Sequence, residues 1–466
     1  MYFIISFIGQ YLYFPTEKCK KIGYFPTEKR KLYKVIFPIK SMKEEIKKTI
    51  IKYKENLPKT IYERELKVQE MKFDKAIVIV GPRRAGKSYF VYSLAKKEDS
   101  SIIINFEDAL ISRIKKDSLN EIVECSKELF GIKKFIFYFD EIQNVIGWEN
   151  FIISLLNEHY KIYITGSNSR LLSKEIATSL RGKAISYLML PFSFKEYLKL
   201  KNIEIEKNFE YGNKVFEIKK HFDIFMKEGG FPEIVLSDSM ELKNRIINNY
   251  RDSVLYKDLV DRLNFKNIDL VEVTINYFMN LFSNVFSISK FENYLKSINI
   301  GYSLEDIYRI IRALEDVFLT GYVKQYFKSH KKREISKSKV YLFDTSYITF
   351  LSKESEDHGR ILENLVFIEL FRRQKEIENK NIFYHISDSN RECDFIIKNR
   401  ESLEAIQVCY DLNEKNRDRE INGLIDALEK FELKSGIILT LDQQEKIKVK
   451  DKTINVLPVW KWLLAN

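Results

Sequence analysis

The stretch Gly81-Pro82-Arg83-Arg84-Ala85-Gly86-Lys87-Ser88 constrains this chain more than any other feature. It satisfies the spacing GxxxxGK[ST], follows the apolar run Ala76–Val80 and precedes the helical run Tyr89–Lys97, so it reads as the turn between a buried strand and a helix. A loop of this kind wraps a phosphate with backbone N–H groups at a helix N-terminus, and a side chain at either glycine would obstruct that approach. Lys87 is then placed to reach the β- and γ-phosphates of a nucleotide, and Ser88 Oγ to ligate Mg²⁺. Glycine is scarce here, at 16 of 466 residues, and a chance match is expected in fewer than roughly one such sequence in a hundred. The cofactors implied are ATP and Mg²⁺.

Four short apolar runs, Ala76–Val80, Ser101–Phe106, Phe135–Phe139 and Lys161–Thr165, alternate with amphipathic stretches between about residues 42 and 200. That alternation predicts a parallel sheet covered on both faces, an α/β domain. The run Phe135–Phe139 ends in Asp140-Glu141, and acids at the carboxyl end of a buried strand face the ligand side of an open sheet. Asp140 is expected to hold Mg²⁺, and Glu141 to polarise the attacking water. The run Lys161–Thr165 ends at Gly166-Ser167-Asn168-Ser169. Asn168 or Ser167 is a candidate to orient that water, and a simple helix cap serves equally well for either. Arg181, in Ser179-Leu180-Arg181-Gly182-Lys183, is a candidate to stabilise transition-state charge across a subunit interface, or else a solvated surface arginine.

A chain of 466 residues exceeds one hydrophobic core and implies two to four domains. With 45% apolar and 31% charged residues it is a packed globular chain, and wholly disordered or collagen-like readings are excluded. The cysteines at 19, 125, 393 and 409 form no CxxC pair and suit a reducing cytoplasm. The scattered histidines offer no zinc pattern. No apolar stretch is long enough to span a bilayer, which makes a soluble cytoplasmic protein the expectation. The net charge of +12 invites a polyanion partner, but residues 1–41 carry eight Lys and Arg against two Asp and Glu, so half of the excess sits there. That segment repeats Tyr-Phe-Pro-Thr-Glu-Lys at residues 13–18 and 24–29. It reads equally well as an extension or as translated upstream sequence, with Met42 the natural start.

The motifs Gly81–Ser88, Phe139-Asp140-Glu141-Ile142-Gln143, Ile164-Thr165-Gly166-Ser167, Leu180-Arg181-Gly182, Pro191–Tyr197 and Glu228-Gly229-Gly230-Phe231-Pro232 cover most of residues 60–260. Taken together, the chain resembles the archaeal-type AAA-like branch of the P-loop ATPases, related to the STAND and origin-recognition-like ATPases. The resemblance implies an AAA-like core and helical lid over 42–260 and a winged-helix-like segment over 261–335, which includes the mostly helical pattern up to about 330. It also implies an arginine-finger role for Arg181 and assembly into a homo-oligomer.

Residues 336–466 are similar to the domain of unknown function that often accompanies these ATPases, itself similar to PD-(D/E)xK nucleases, which implies a restriction-endonuclease-like α/β fold. The matching residues are Lys339–Asp344, Glu363, Asp394 and the strand Ala405-Ile406-Gln407-Val408-Cys409. An active member would present a metal-binding acid at 407 and a lysine at 409, on one strand face. Gln407 and Cys409 stand there instead, so the site reads as degenerate, and Glu404 should point to the other sheet face. The function expected is an ATP-hydrolysing molecular switch that controls engagement of a DNA or protein partner. An ATP-controlled DNA-cleaving enzyme and a non-hydrolysing nucleotide-binding scaffold are the alternatives.

Overall fold

In the computed structural model, the structure describes residues 42–465 except 70–72, 112, 132–133, 168–178, 206–208, 210–211, 213, 262–263, 375–380 and 400–401. Residues 1–41 therefore lie outside the described residues, and so does the candidate Asn168.

Five strands form the first sheet: β1 (Ala76–Val80), β2 (Ser101–Asn105), β3 (Ile136–Asp140), β4 (Lys161–Gly166) and β5 (Ala184–Leu188), in the order β2-β3-β4-β1-β5 with every pair parallel. The sequence Ala-Ile-Val-Ile-Val of β1 is buried along its whole length because helices cover both faces of a parallel sheet. The four strands expected are present, with no end shifted by more than one residue. β5 was not among them, since Ala-Ile-Ser-Tyr-Leu at the sheet edge is only partly buried and its apolar pattern is weak. Because β4 lies between β1 and β3, the turn after β1 and the acids after β3 open onto the same edge of the sheet with the end of β4 between them.

A helical region follows, including the helices Lys214–Glu228, Met240–Ser253, Ile268–Leu281, Ile288–Ser297 and Leu304–Asp316. Between the second and third of these runs an eight-residue π-helical segment, Val254–Asp261. The second sheet comprises β6 (Asn284–Val285), β7 (Thr320–Gln325), β8 (Ser338–Leu342), β9 (Ile382–Ile386), β10 (Glu392–Asn399), β11 (Ser402–Val408), β12 (Ser435–Thr440), β13 (Glu445–Val449) and β14 (Lys452–Pro458). Their order is β13-β14-β12-β11-β10-β9-β7-β8-β6.

The division expected at residue 336 falls inside a hairpin of this sheet. β7 pairs antiparallel with β8 from Thr320↔Leu342 to Lys324↔Ser338, and the short helix His330–Ile335 forms its tip. β6 and β7 thus join the sheet although they lie in the segment read as helical; β6 is only two residues long, and both are flanked by strong helical periodicity. One apolar core runs from Ile46 on the helix Met42–Glu55 to Leu464 on the helix Val459–Leu464, so both sheets share continuous packing.

Candidate functional site

The P-loop joins β1 to the helix Lys87–Ala95. Gly86 precedes that helix at φ 95°, a left-handed conformation that a side chain would strain, and no side chain caps the first-turn N–H groups. Gly81 is required for a further reason. A Cβ there would lie 1.9 Å from the carbonyl oxygen of Met189, just beyond β5, so neighbouring backbone by itself excludes the side chain. Lys87 is buried, and its ammonium donates to the carbonyls of Gly81 (3.0 Å) and Pro82 (2.8 Å). Burial lowers the pKa of Lys87, with Glu141 and Asp140 acting in the opposite direction.

Asp140 ends β3 and Glu141 turns away from it at φ 55°. The two acids therefore leave the strand in different directions. Asp140 accepts from Thr165 Oγ1 and, at 3.1 Å, from Asn105 Nδ2. Burial and the adjacent Glu141 push its carboxyl up to about 6, while Thr165 and Ser88 hydrogen bonds pull it down. Glu141 accepts from Gln143 Nε2 and, at 3.3 Å, from Ser167 Oγ. Of the two candidates on the turn after β4, Ser167 therefore contacts the expected water-polarising acid. A cleft of about 480 Å³ is lined by Lys87, Ser88, Asp140 and Glu141 together with Tyr62, Pro232 and Lys257. Its chemistry fits a nucleotide with Mg²⁺: uncapped helix N–H groups and an ammonium for phosphate, and a hydroxyl hydrogen-bonded to a carboxylate for a hard cation.

Arg181 is exposed, at φ 51°, and immediately precedes β5. Since β5 runs parallel to β1 from Ala184↔Ala76, Arg181 lies at the end of the sheet opposite the P-loop, about 16 Å away along the strand.

Three further side chains hold the loop, and the sequence reading gave only two of them any role. Arg64, with its side chain 5% exposed, donates to the carbonyls of Ala85 (2.8 Å) and Leu190 (2.7 Å) and to Glu196 Oε1 (2.9 Å). Arg83 and Arg84, expected as loop residues, line the cleft and pair with Asp258 and Glu233 respectively. Glu196 also closes a capping box with Ser193, which explains that part of the Pro191–Tyr197 motif.

A second cleft, of about 800 Å³, lies in the carboxyl-terminal sheet. It brings together the three residues expected there, Glu363, Asp394 and Gln407, and adds Lys339 and Glu420. Asp394 sits in a β-bulge between Cys393 and Ile396, an irregularity that re-aims a side chain. Lys339 Nζ lies 2.9 Å from Glu363, 3.0 Å from Asp394 and 2.5 Å from Glu392. Burial works to lower the Lys339 pKa, but Glu363, Tyr341 and Asp394 outweigh it and hold the group well above its ordinary value. Gln407 Nε2 donates to Glu420 (2.6 Å), and Asp394 Oδ2 accepts from the Val408 N–H (2.9 Å). Burial pushes the Cys409 thiol up to about 12, and Glu404 is exposed on the strand that buries Gln407. Among the described residues no cluster of His, Cys, Asp and Glu is arranged to hold a metal ion. No helix among them is long and apolar enough to cross a membrane.

An AAA domain matches residues 73–198. Two domains of unknown function follow, DUF8612 over residues 219–358 and DUF4143 over residues 358–462. The protein MJ1544 of Methanocaldococcus jannaschii is 42% identical over 400 residues, which cover 84% of this chain and 89% of that protein. A Haemophilus influenzae protein is 27% identical over 396 residues, covering 83% of this chain and 94% of its own length. Among solved structures, the Walker-type ATPase PABY2304 of Pyrococcus abyssi aligns over 68% of this chain and 96% of its own, at 14% identity and a TM-score of 0.42.

Proposed function

The chain belongs to the same family as the Methanocaldococcus jannaschii protein, with an AAA domain in its amino-terminal half, and we propose that it is an ATP-hydrolysing switch. The observation that carries this reading is the convergence of Lys87, Ser88, Asp140 and Glu141 on one cleft from two distant segments. Lys87 exchanges the carbonyls of Gly81 and Pro82 for phosphate oxygens, which satisfy an ammonium more strongly. Ser88 and Asp140 are the residues that would hold Mg²⁺. The ion, when bound with the nucleotide, supplies charge neutralisation at the phosphates. Glu141, held by Gln143 and Ser167, is positioned to orient water and accept its proton.

The test is phosphate release by the purified chain. Lys87→Ala should abolish nucleotide binding, and Glu141→Gln should lower turnover by about 10²-fold or more while nucleotide still binds. Turnover undiminished in both variants removes the assignment. ATP that binds the wild type without phosphate release favours the nucleotide-binding scaffold. Arg181 acts only if a second copy brings its β5 edge to the P-loop, and Arg181→Ala should then lower turnover in the assembled form alone.

The carboxyl-terminal cleft supports a nuclease-like ancestry without cutting. Lys339 holds the carboxylates that a metal would need, and Gln407 supplies no charge. We read this part as a docking domain for DNA or a protein partner. The helix and strand order over residues 268–342 supports a winged-helix-like element beside it. Mg²⁺- or Mn²⁺-dependent DNA cleavage lost in Asp394→Ala would instead favour the DNA-cleaving enzyme.

A further inference from the structure

Both P-loop arginines are tied to elements that follow the Gly229-Gly230-Phe231-Pro232 turn. Arg84 Nη1 lies 3.3 Å from Glu233, and its guanidinium lies 5.7 Å from the centre of the Tyr250 ring. Arg83 is held more tightly. Its Nε lies 2.8 Å from Asp258 Oδ2, and its Nη1 lies 3.1 Å from Glu107. Asp258 is 2% exposed and belongs to the π-helical segment Val254–Asp261, part of the Tyr256-Lys257-Asp258-Leu259 stretch. A run of π turns is uncommon and tends to mark a functional position.

The segment is well placed to pass a change on. It follows the helix Met240–Ser253 directly and packs against the helices Ile268–Leu281 and Leu304–Asp316. The helix Ile268–Leu281 in turn packs on β8 of the second sheet. At the other end, Arg83 lines the P-loop cleft beside Lys87 and Ser88.

A nucleoside triphosphate brings several negative charges into that cleft, and phosphate oxygens accept from guanidinium with the same geometry as a carboxylate. The Nε–H that serves Asp258 cannot also serve a phosphate. A buried carboxylate that loses a guanidinium partner is disfavoured, which biases its backbone segment toward rearrangement.

We infer that Arg83 and Asp258 form a latch that reads nucleotide occupancy: triphosphate in the P-loop cleft draws Arg83 off Asp258, and the π-helical segment carries the change to the helices packed on the second sheet. The latch rests on the proposal that this cleft binds ATP, and adds where occupancy is sensed. Coupling of this kind is reciprocal, so the pair that nucleotide breaks must itself oppose nucleotide binding.

The experiment uses the full chain and a non-hydrolysable ATP analogue, so it does not depend on turnover. Hydrogen exchange in residues 254–261 should rise when the analogue saturates the wild type. Asp258→Asn, which keeps the side-chain volume and removes the charge, should bind the analogue roughly tenfold more tightly, a typical coupling factor. The same variant should lose the exchange response. A wild type that fails to bind the analogue overturns the ATP reading, and the latch with it. A saturated wild type with unchanged or slower exchange at 254–261 overturns the latch alone, and that measurement needs no folded variant. An Asp258→Asn affinity equal to or weaker than that of the wild type also overturns it.

Discussion

A lysine buried among three carboxylates is held by all of them, and they by it. Lys339 offsets charge on Glu363 and Asp394, each of which is less than a tenth exposed. Removing one partner from such a cluster leaves uncompensated charge, which costs about 3–5 kcal/mol. Lys339→Met should therefore lower the unfolding free energy by that order in urea titrations, and a loss below about 1 kcal/mol would show that the cluster is not a buried ion pair in solution. Arg64 poses the same question at the P-loop. Arg64→Met removes the donors to the Ala85 and Leu190 carbonyls and leaves Glu196 without its cation. We expect a loss of about 3 kcal/mol in stability and weaker nucleotide binding together. Neither residue announces itself locally, since Arg64 stands between Glu63 and Glu65 and Lys339 follows Lys337 and Ser338, settings that usually read as solvated charge.

Between elements, β1 fits tightly against the chain leaving β5. The Met189 N–H donates to the Val80 carbonyl at 2.7 Å, and the Met189 carbonyl lies against Gly81 where a Cβ would stand. Gly81→Ala should displace the turn from β5 and cost about 1–3 kcal/mol, the range of an overpacked site. Gly131, at φ 62° after the helix Glu121–Phe130, has nothing within 4 Å of an added Cβ. Gly131→Ala should cost only the conformational term, about 1 kcal/mol. Urea midpoints for the two variants separate steric from conformational requirements, and equal losses would contradict the packing at Gly81. The strands β1 to β4 were legible in the sequence because buried parallel strands are unbroken apolar runs. β5 and β6 were not, because edge position dilutes that signal, and β7 was not, because helices flank it on both sides.

At the scale of the whole molecule, the Gly229-Gly230 turn, paired with Phe192 beyond β5, abuts Asp344 just after β8. Asp344 accepts from the Gly230 N–H (2.9 Å) and from the Ser346 N–H and hydroxyl. Burial still raises its carboxyl from 3.8 to about 6. A carboxyl with a raised folded-state pKa binds its proton more tightly in the native chain, so its stabilising contribution is complete below about 3.8 and is lost as pH rises through about 6. Across that window the wild type should lose about 3 kcal/mol relative to Asp344→Asn. Unfolding free energies of both chains at pH 4 and pH 7 check this, and parallel pH dependences would refute it. The sequence by itself determined the P-loop spacing, the acidic end of β3 and the uncharged amide at Gln407 on β11, because each is a local pattern read along one strand or turn. It also located half of the excess charge in residues 1–41. Only the tertiary structure decided that the Met189 carbonyl excludes a side chain at Gly81, that β7 and β8 share one hairpin, that Lys339 neutralises the carboxyl-terminal acids, and that Arg83 turns to Asp258, 175 residues away. Those features are pairings between distant segments, and the periodicity of a single chain carries no record of which buried charge will meet which.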